Sequence, residues 1–147
     1  MPAACDTQAA PGMPTPFTYR DLVVWKQGMD LAEQCYKATA SFPKSELYGL
    51  TGQLRRASVS IPSNVAEGHG RRSTKAYLNH VSIAIGSQAE FATCVELATR
   101  VGFLDEGNRK RVVALSDSVG RLLYGLHRAL KRKLAEKKRN RSATPNP

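Results

Sequence analysis

Apolar residues recur every three or four positions, the period of an α-helix, in four successive stretches of this chain. Turn residues separate the stretches at Ser41–Pro43, at Gly68–Gly70 and at Gly102. A length of 147 residues provides one hydrophobic core and is too short for two. Four helices of about 20 to 28 residues with short connections therefore predict an all-α fold, an antiparallel up-down four-helix bundle.

Capping residues indicate where the helices begin. Thr18 is a good N-cap for the first helix, and Asp21 follows three residues later to complete a capping box. The second helix is expected to begin near Ser45, the third after Ser73 as N-cap, and the fourth near Asp105. The caps and the turn residues thus divide the chain in the same way.

Pro62 opposes helix formation in the second stretch. A proline inside a helix removes one backbone donor and clashes with the carbonyl four positions earlier, here that of Ser58. The segment Ser58–Ile61 also alternates polar and apolar residues with the period of a strand. We expect a helix that passes through Pro62 with a kink.

The third stretch is apolar over more than half of its circumference. One face carries Tyr77, Val81 and Phe91, and Leu78 and Ile85 widen it. A helix covered so widely buries two faces, and a bundle this small provides cover for one. The third helix is therefore expected to contact a partner beyond its own chain.

Both ends of the chain differ in composition from the centre. Four prolines lie among the first 16 residues, whereas residues 19–130 contain only two. We predict a disordered Pro-rich tail at residues 1–17, the bundle at 18–131 and a basic disordered tail at 132–147. The run Lys131–Arg141 has a second interpretation, an extension of the fourth helix that frays at its end.

Positive charge dominates the chain. Lys and Arg number 22 against 12 acids, which gives a net charge of +10. Residues 131–147 hold seven basic residues and one acid, a net 7 − 1 = +6, so the basicity is partly a property of this tail. A surplus this large favours polyanionic partners, and the tail is expected to act as a nucleic-acid arm.

No combination of residues points to catalysis or to metal binding. The three histidines lie in a turn and on two different helices, without the spacing of a metal motif. The three cysteines are an odd number with no C-x-x-C pair, which fits free thiols in a reducing cytoplasm. No secretory signal and no transmembrane segment is expected. The sequence predicts a noncatalytic cytoplasmic protein without cofactor, metal or membrane association.

Basic side chains form three clusters in the predicted bundle and a fourth at its end. Each cluster alone is equally consistent with a solvated helix surface, but their sum favours nucleic acid. Aromatic residues do not interleave with these clusters, which argues against base stacking and favours weakly specific contacts to phosphates. The candidate nucleic-acid-binding residues are Arg55, Arg56, Arg71, Arg72, Lys75, Arg109, Lys110, Arg111, Lys131, Arg132 and Lys133.

Polar residues on the second and third stretches are expected to form a structural network. Asn64 and Glu67 lie one helical turn apart, and Ser87 and Glu90 interrupt the apolar rows of the third stretch. Hydrogen bonds between the two helices would fix their register in a way that apolar packing cannot. A small-ligand pocket formed by the same residues is the competing interpretation. The expected ion pairs join Glu67 or Glu90 to Arg55 or Arg71.

Several strings between residues 19 and 131 are more specific than a helical pattern. They are Tyr19–Leu22 with Val24–Trp25, Phe42–Pro43, Glu46–Thr51, Gln53–Ala57 and, above all, Ile61–Gly68 with Gly70–Arg71. With these strings the chain resembles a bacterial four-helix bundle family. That family includes proteins encoded in intervening sequences of large-subunit ribosomal RNA genes and the accessory variability determinants of diversity-generating retroelements.

The resemblance implies a ring-like homopentamer with a positively charged surface and no catalytic residues. In the retroelement branch such a protein binds nucleic acid and the reverse transcriptase. We therefore expect a noncatalytic oligomer that contacts RNA or DNA phosphates, as an accessory to a reverse transcriptase or a related RNA-linked process. The alternative is a structural or scaffolding oligomer whose partner is a protein.

Overall fold

The computed structural model describes residues 17–144, which contain four α-helices and no strand. Each helix packs against the next one in the chain, α4 packs back against α1, and the backbones of the diagonal pairs stay farther apart, with the shared core between them. Short connections force consecutive helices to run antiparallel, so the prediction of an all-α four-helix fold is confirmed. The helices are α1 (Val23–Thr39), α2 (Leu50–Gly70), α3 (Thr74–Arg100) and α4 (Glu106–Ala143).

Two of the four predicted helix starts differ from the structure. Thr18 and Asp21 form the expected capping box, but this box lies at the start of a short 3₁₀ helix, Tyr19–Asp21. Helix α1 begins only at Val23. A second 3₁₀ turn, Lys44–Glu46, precedes α2, which therefore begins at Leu50 rather than near residue 45.

The predicted caps of the last two helices are confirmed. The Ser73 hydroxyl accepts from the Ala76 amide at 3.2 Å at the start of α3. The Asp105 carboxylate accepts from the Asn108 amide at 2.9 Å at the start of α4. Hydrogen bonds from the backbone and side-chain amides of Asn108 hold the pKa of the Asp105 carboxyl below its ordinary value.

Helix α2 passes through Pro62 without interruption. The proline is buried against α1, where it faces Gly28. A Cβ atom on Gly28 would lie 3.3 Å from the Pro62 Cβ, which is tighter than an ordinary carbon–carbon contact. The absence of a side chain at Gly28 thus makes room for the proline ring at the α1–α2 interface.

Helix α4 continues well beyond the predicted end of the bundle. Leu130 is its last buried residue, yet the helix runs on to Ala143. Residues 132–143 are therefore helical, and their prediction as a disordered tail is corrected in favour of the extended fourth helix. The physical reason is composition, since residues 126–144 contain neither Gly nor Pro and are rich in Lys, Arg, Leu and Ala. The tail predicted at residues 1–17 lies outside the described residues except for Phe17, which is exposed.

Candidate nucleic-acid interface

The candidate nucleic-acid-binding residues lie at two opposite ends of the bundle. Arg56 and Arg71 are 15 residues apart on α2 and its cap, which corresponds to about 22 Å along a helix. No single surface therefore holds all of them. One end carries Arg71, Arg72, Lys75, Lys131, Arg132 and Lys133, and the other carries Arg55, Arg56, Arg109, Lys110 and Arg111.

The α2–α3 turn and the last turns of α4 meet at the first of these ends. The Lys137 Nζ donates to the Thr74 Oγ1 at 2.9 Å, and Lys75 and Lys131 line the same groove between α3 and α4. Residues of α4 that follow Lys137 continue past the first residue of α3. We call this surface the basic end. It comprises the exposed residues Arg71, Arg72, Lys75, Lys131, Arg132, Lys133, Lys137, Lys138, Arg139 and Arg141.

Little of the positive charge at the basic end is neutralised. The Arg71 Nη2 donates to the Glu67 Oε1 at 2.8 Å, and this bond, helped by the nearby His80, holds the pKa of the Glu67 carboxyl below its ordinary value. Within residues 17–144, no other cation of the basic end forms an ion pair. Arg72, at a φ of 54°, takes the left-handed conformation just after the end of α2, and its side chain is exposed.

Arg55 is held by contacts within its own chain. Its Nε donates to the Thr39 Oγ1 at 3.0 Å, and its guanidinium carbon lies 4.5 Å from the centre of the Tyr36 ring. Both contacts join α2 to α1 and leave the residue half-buried. Arg55 therefore serves first to connect two helices, whereas its neighbour Arg56 is exposed.

The third basic cluster lies among acidic residues. Arg109 lies 3.6 Å from the Glu106 carboxylate, and it shares a hollow of about 220 Å³ with Glu96 and Asp117. These carboxylates offset the charge of the first turn of α4. The two remaining members of the cluster, Lys110 and Arg111, are exposed and belong to the end of the bundle opposite the basic end.

A chain of hydrogen bonds links α2 to α3. The hydroxyls of Ser60 and Ser87 lie 2.8 Å apart, and the Asn64 Nδ2 donates to the Ser60 carbonyl at 2.8 Å and to its hydroxyl at 3.1 Å. The Asn64 Oδ1 then faces the His80 Nδ1 at 3.0 Å. Since the Asn64 oxygen can only accept, His80 donates through Nδ1. The predicted polar contact between the two helices exists, with His80 as a member that sequence reasoning missed.

The two glutamates of the predicted network differ in outcome. Glu67 forms one of the expected ion pairs, with Arg71 at the end of its own helix, and this pair does not cross to α3. Glu90 is exposed and forms no ion pair with any residue between 17 and 144; its charge acts on the buried Cys94, whose thiol pKa is raised by burial and by this carboxylate. The pairs of Arg55 with either glutamate are absent from the described residues.

Gly68 allows the close approach of α2 to α3 beside this network. A Cβ atom at this position would lie 2.7 Å from the His80 Cβ and 2.8 Å from the Tyr77 Cδ2. The hydroxyl of Tyr77 is buried without a hydrogen-bond partner among residues 17–144, and burial raises the pKa of its phenol. The close packing of α2 against α3 thus requires the glycine that ends the Ile61–Gly68 string.

The outward face of α3 carries exposed apolar side chains. Ile83, Leu97 and the C-cap residue Val101 are each close to half exposed, and Gly86, Ala89 and the exposed Glu90 lie between them. The sequence prediction named other residues for the wide apolar surface, and two of them, Leu78 and Ile85, pack against the core of the same chain. Nothing in residues 17–144 covers the exposed side chains.

Neither a metal site nor a membrane-spanning helix is found in the described range. Residues 17–144 contain no group of three His, Cys, Asp or Glu side chains that could hold a metal ion. None of the helices in this range combines the length and apolar character needed to cross a bilayer.

Comparisons with known proteins identify the family. A solved structure of a protein of unknown function from the S23 ribosomal protein family of Bacteroides thetaiotaomicron is similar to this chain, with a TM-score of 0.66 and 19% sequence identity. The similarity covers 72% of this chain and 96% of that one, and at this identity it establishes the fold alone. No curated protein matches the chain. The model of the 23S rRNA-intervening sequence protein family matches residues 20–125, nearly the whole bundle, and the chain therefore belongs to that family.

Proposed function

We propose that this protein is a noncatalytic homo-oligomer that binds the phosphates of RNA or DNA through the basic end. The observation that carries the proposal is the meeting of the α2–α3 turn with the last turns of α4, where Lys137 reaches Thr74. Ten exposed cations lie on this surface and few carboxylates oppose them. Phosphate contacts of this kind give affinity that depends on salt and little on sequence.

Self-association would multiply these contacts. The exposed apolar face of α3, with Ile83, Leu97 and Val101, supports contact with a second copy. A ring of five copies, the assembly that the resemblance implies, would carry 5 × 10 = +50 charges. Several weak phosphate contacts on one particle would then act together as one strong contact. The cellular role that fits is that of a cytoplasmic accessory to a reverse transcriptase or to another RNA-linked process.

Salt titration of binding tests the basic end. We would measure the anisotropy of a fluorescein-labelled RNA and of a DNA duplex from 50 to 300 mM salt, an interval over which phosphate binding falls steeply. The triple variant Lys75→Gln, Lys131→Gln and Lys137→Gln should bind duplex at least about tenfold more weakly. It should also lower the log–log salt slope by up to about 2.7, or 0.9 for each lost phosphate contact.

A matched control removes the same number of charges from the opposite end. The triple variant Arg109→Gln, Lys110→Gln and Arg111→Gln should change binding much less. Equal losses in the two triple variants would mean that net charge, and not the basic end, governs binding. Absence of any binding at 50 mM salt would favour the scaffolding function, for which the exposed face of α3 provides a protein-binding surface.

Light scattering tests the oligomer separately. The wild-type chain should elute as a multiple of its 16.1 kDa mass, and the variant Leu97→Glu should dissociate because it places a charge on the apolar face of α3. Tyr124→Glu, at an exposed position of α4, is the control and should keep the wild-type mass. A monomeric wild-type chain would refute self-association and leave the phosphate site to be judged by the titration.

A further inference from the structure

A groove between α3 and α4 lies within the basic end. It has a volume of about 640 Å³, which is in the usual range for sites that hold a small molecule. One wall comes from the first two turns of α3 and the other from the last part of α4 that packs on the bundle. Its lining consists of Ser73, Lys75, Ala76, Leu78, Asn79, Ser82, His127, Lys131 and Leu134.

We infer that this groove holds one unstacked base of a single-stranded nucleic acid, with the flanking phosphates on Lys75 and Lys131. The inference rests on the proposed phosphate site and specifies the form of nucleic acid that the site prefers. It departs from the expectation, drawn from the lack of interleaved aromatics, that only the backbone is contacted.

The interior of the groove suits the flat face of a base. Ala76, Leu78 and Leu134 supply an apolar surface, and the imidazole of His127, from α4, is a ring on which a base can stack. His127 and Leu134 are seven positions apart, which is about two turns of α4, so they lie on the same side of that helix. The surface is therefore continuous along the groove.

The polar groups of the groove suit the edge of a base. The Asn79 amide and the His127 ring make no hydrogen bond to any residue that the structure describes. An amide both donates and accepts, as base edges do. The Ser82 hydroxyl donates to the Leu78 carbonyl at 3.0 Å, so it can still accept a hydrogen bond from a ligand.

Positive charge lines this groove. Its lining includes two lysines and no carboxylate, and Lys137 is held beside it by Thr74. A hollow of about 430 Å³ also holds two cations and no carboxylate, but one of them, Arg55, is already engaged by α1. A base with anionic phosphate neighbours therefore fits the groove between α3 and α4, where the lysines are exposed and form no ion pair within residues 17–144.

A duplex cannot use the groove in this way, because its bases are stacked and paired. The preference for single strands is therefore the measurable consequence. Asn79→Leu keeps every charge and removes one amide from an exposed helix position, so the fold and the long-range attraction to phosphates are unaffected. Asn140→Leu is the matched control, since Asn140 is exposed at the same end but outside the groove.

The experiment compares the affinities of a labelled 12-nucleotide single-stranded RNA and a 12-base-pair duplex of the same sequence. Asn79→Leu should weaken single-strand binding about tenfold, in line with the loss of one or two hydrogen bonds to the edge of a base, and change duplex binding less than twofold. The control variant should change neither. Equal weakening of both ligands, or no effect on either, would overturn the inference and leave the proposed phosphate site intact. No binding of either ligand to the wild-type chain would instead refute the proposed function.

Free nucleotide provides an independent test. Adenosine monophosphate should shift the NMR signals of Ala76, Leu78 and Leu134, and Asn79→Leu should abolish these shifts. Inorganic phosphate at the same concentration should perturb only the neighbourhood of the two lysines. If phosphate alone reproduced the shifts of the apolar residues, the groove would be a simple anion site and the inference would be wrong.

Discussion

Replacing Gly68 by alanine should destabilise the protein, although alanine is ordinarily the better helix former. The added Cβ would lie 2.7 Å from the His80 Cβ and 2.8 Å from the Tyr77 Cδ2, whereas carbon atoms normally stay about 3.5 to 4.0 Å apart. Helices α2 and α3 would have to separate by about 1 Å at this point. That movement would also stretch the 3.0 Å hydrogen bond between Asn64 and His80.

The expected magnitude follows from two opposing effects. Overpacking a close interface costs about 1 to 3 kcal/mol, and replacing glycine by alanine inside a helix contributes about 0.5 to 1 kcal/mol of stability. We therefore expect Gly68→Ala to lower the free energy of unfolding by about 1 to 2 kcal/mol. Gly125→Ala, where nothing lies within 4 Å of the new Cβ, should raise it by about 0.5 to 1 kcal/mol.

Urea denaturation and thermal denaturation, each followed by circular dichroism, measure the stability of both variants against that of the wild type. For a domain of this size the two should differ in Tm by about 6 to 12 °C, with the midpoint of Gly68→Ala the lower. A Gly68→Ala variant as stable as the wild type would refute the reasoning. It would mean that the helices separate freely at this contact and that the string Ile61–Gly68 does not depend on close packing.

Three further predictions concern contacts within the bundle. Asn64→Ala should lower the free energy of unfolding by about 1 to 3 kcal/mol, because it leaves His80 without its hydrogen-bond acceptor. Ser63 is an exposed neighbour, and Ser63→Ala should change the same quantity by less than about 0.5 kcal/mol in the same denaturation assay. Arg55→Ala should lower the free energy of unfolding by about 1 to 2 kcal/mol, because it removes the contacts with Thr39 and Tyr36. Thermal melts measure this loss, and fluorescence anisotropy should show duplex affinity within twofold of the wild type. A large loss of affinity with unchanged stability would contradict this prediction. Burial raises the pKa of the Cys35 thiol, so at pH 8 iodoacetamide should label this thiol only as fast as the protein unfolds. The free energy of unfolding should decline once the pH exceeds the pKa of the thiol in the unfolded chain, near 9. Rapid labelling of the native protein, measured by mass spectrometry, would refute this.

Phosphate binding in this bundle is predicted to depend on one end and not on the whole surface. Two basic clusters lie at the end opposite the basic end. In the first, Arg55 is engaged in the α1–α2 contact, and in the second, Arg109 lies among carboxylates. Each of these clusters therefore has fewer unpaired cations than the basic end. The distinction matters for any complex with RNA, because a polyanion bound at the basic end would leave the exposed face of α3 available for a second copy.

The helical pattern of the chain predicts the number of helices and the caps at Ser73 and Asp105. These features depend on neighbours within a few residues, which are fixed once the backbone is helical. The same local pattern was insufficient where two signals competed. The Thr18 capping box predicts the start of α1, but it begins a separate 3₁₀ turn. The composition of the C-terminal segment predicts a disordered basic tail, whereas its residues also favour helix and form the end of α4.

The fold class, the family strings and the net charge of +10 can be derived from the amino-acid sequence. Three contacts become visible only once the helices are packed: Lys137 with Thr74, His80 with Asn64, and Arg55 with Thr39 across the α1–α2 interface. The physical reason is that helical periodicity specifies which face of a helix is buried, but not which residue of a neighbouring helix stands opposite. That register is set by how the side chains of two helices fit together, so contacts between residues far apart in the chain emerge only when the helices pack.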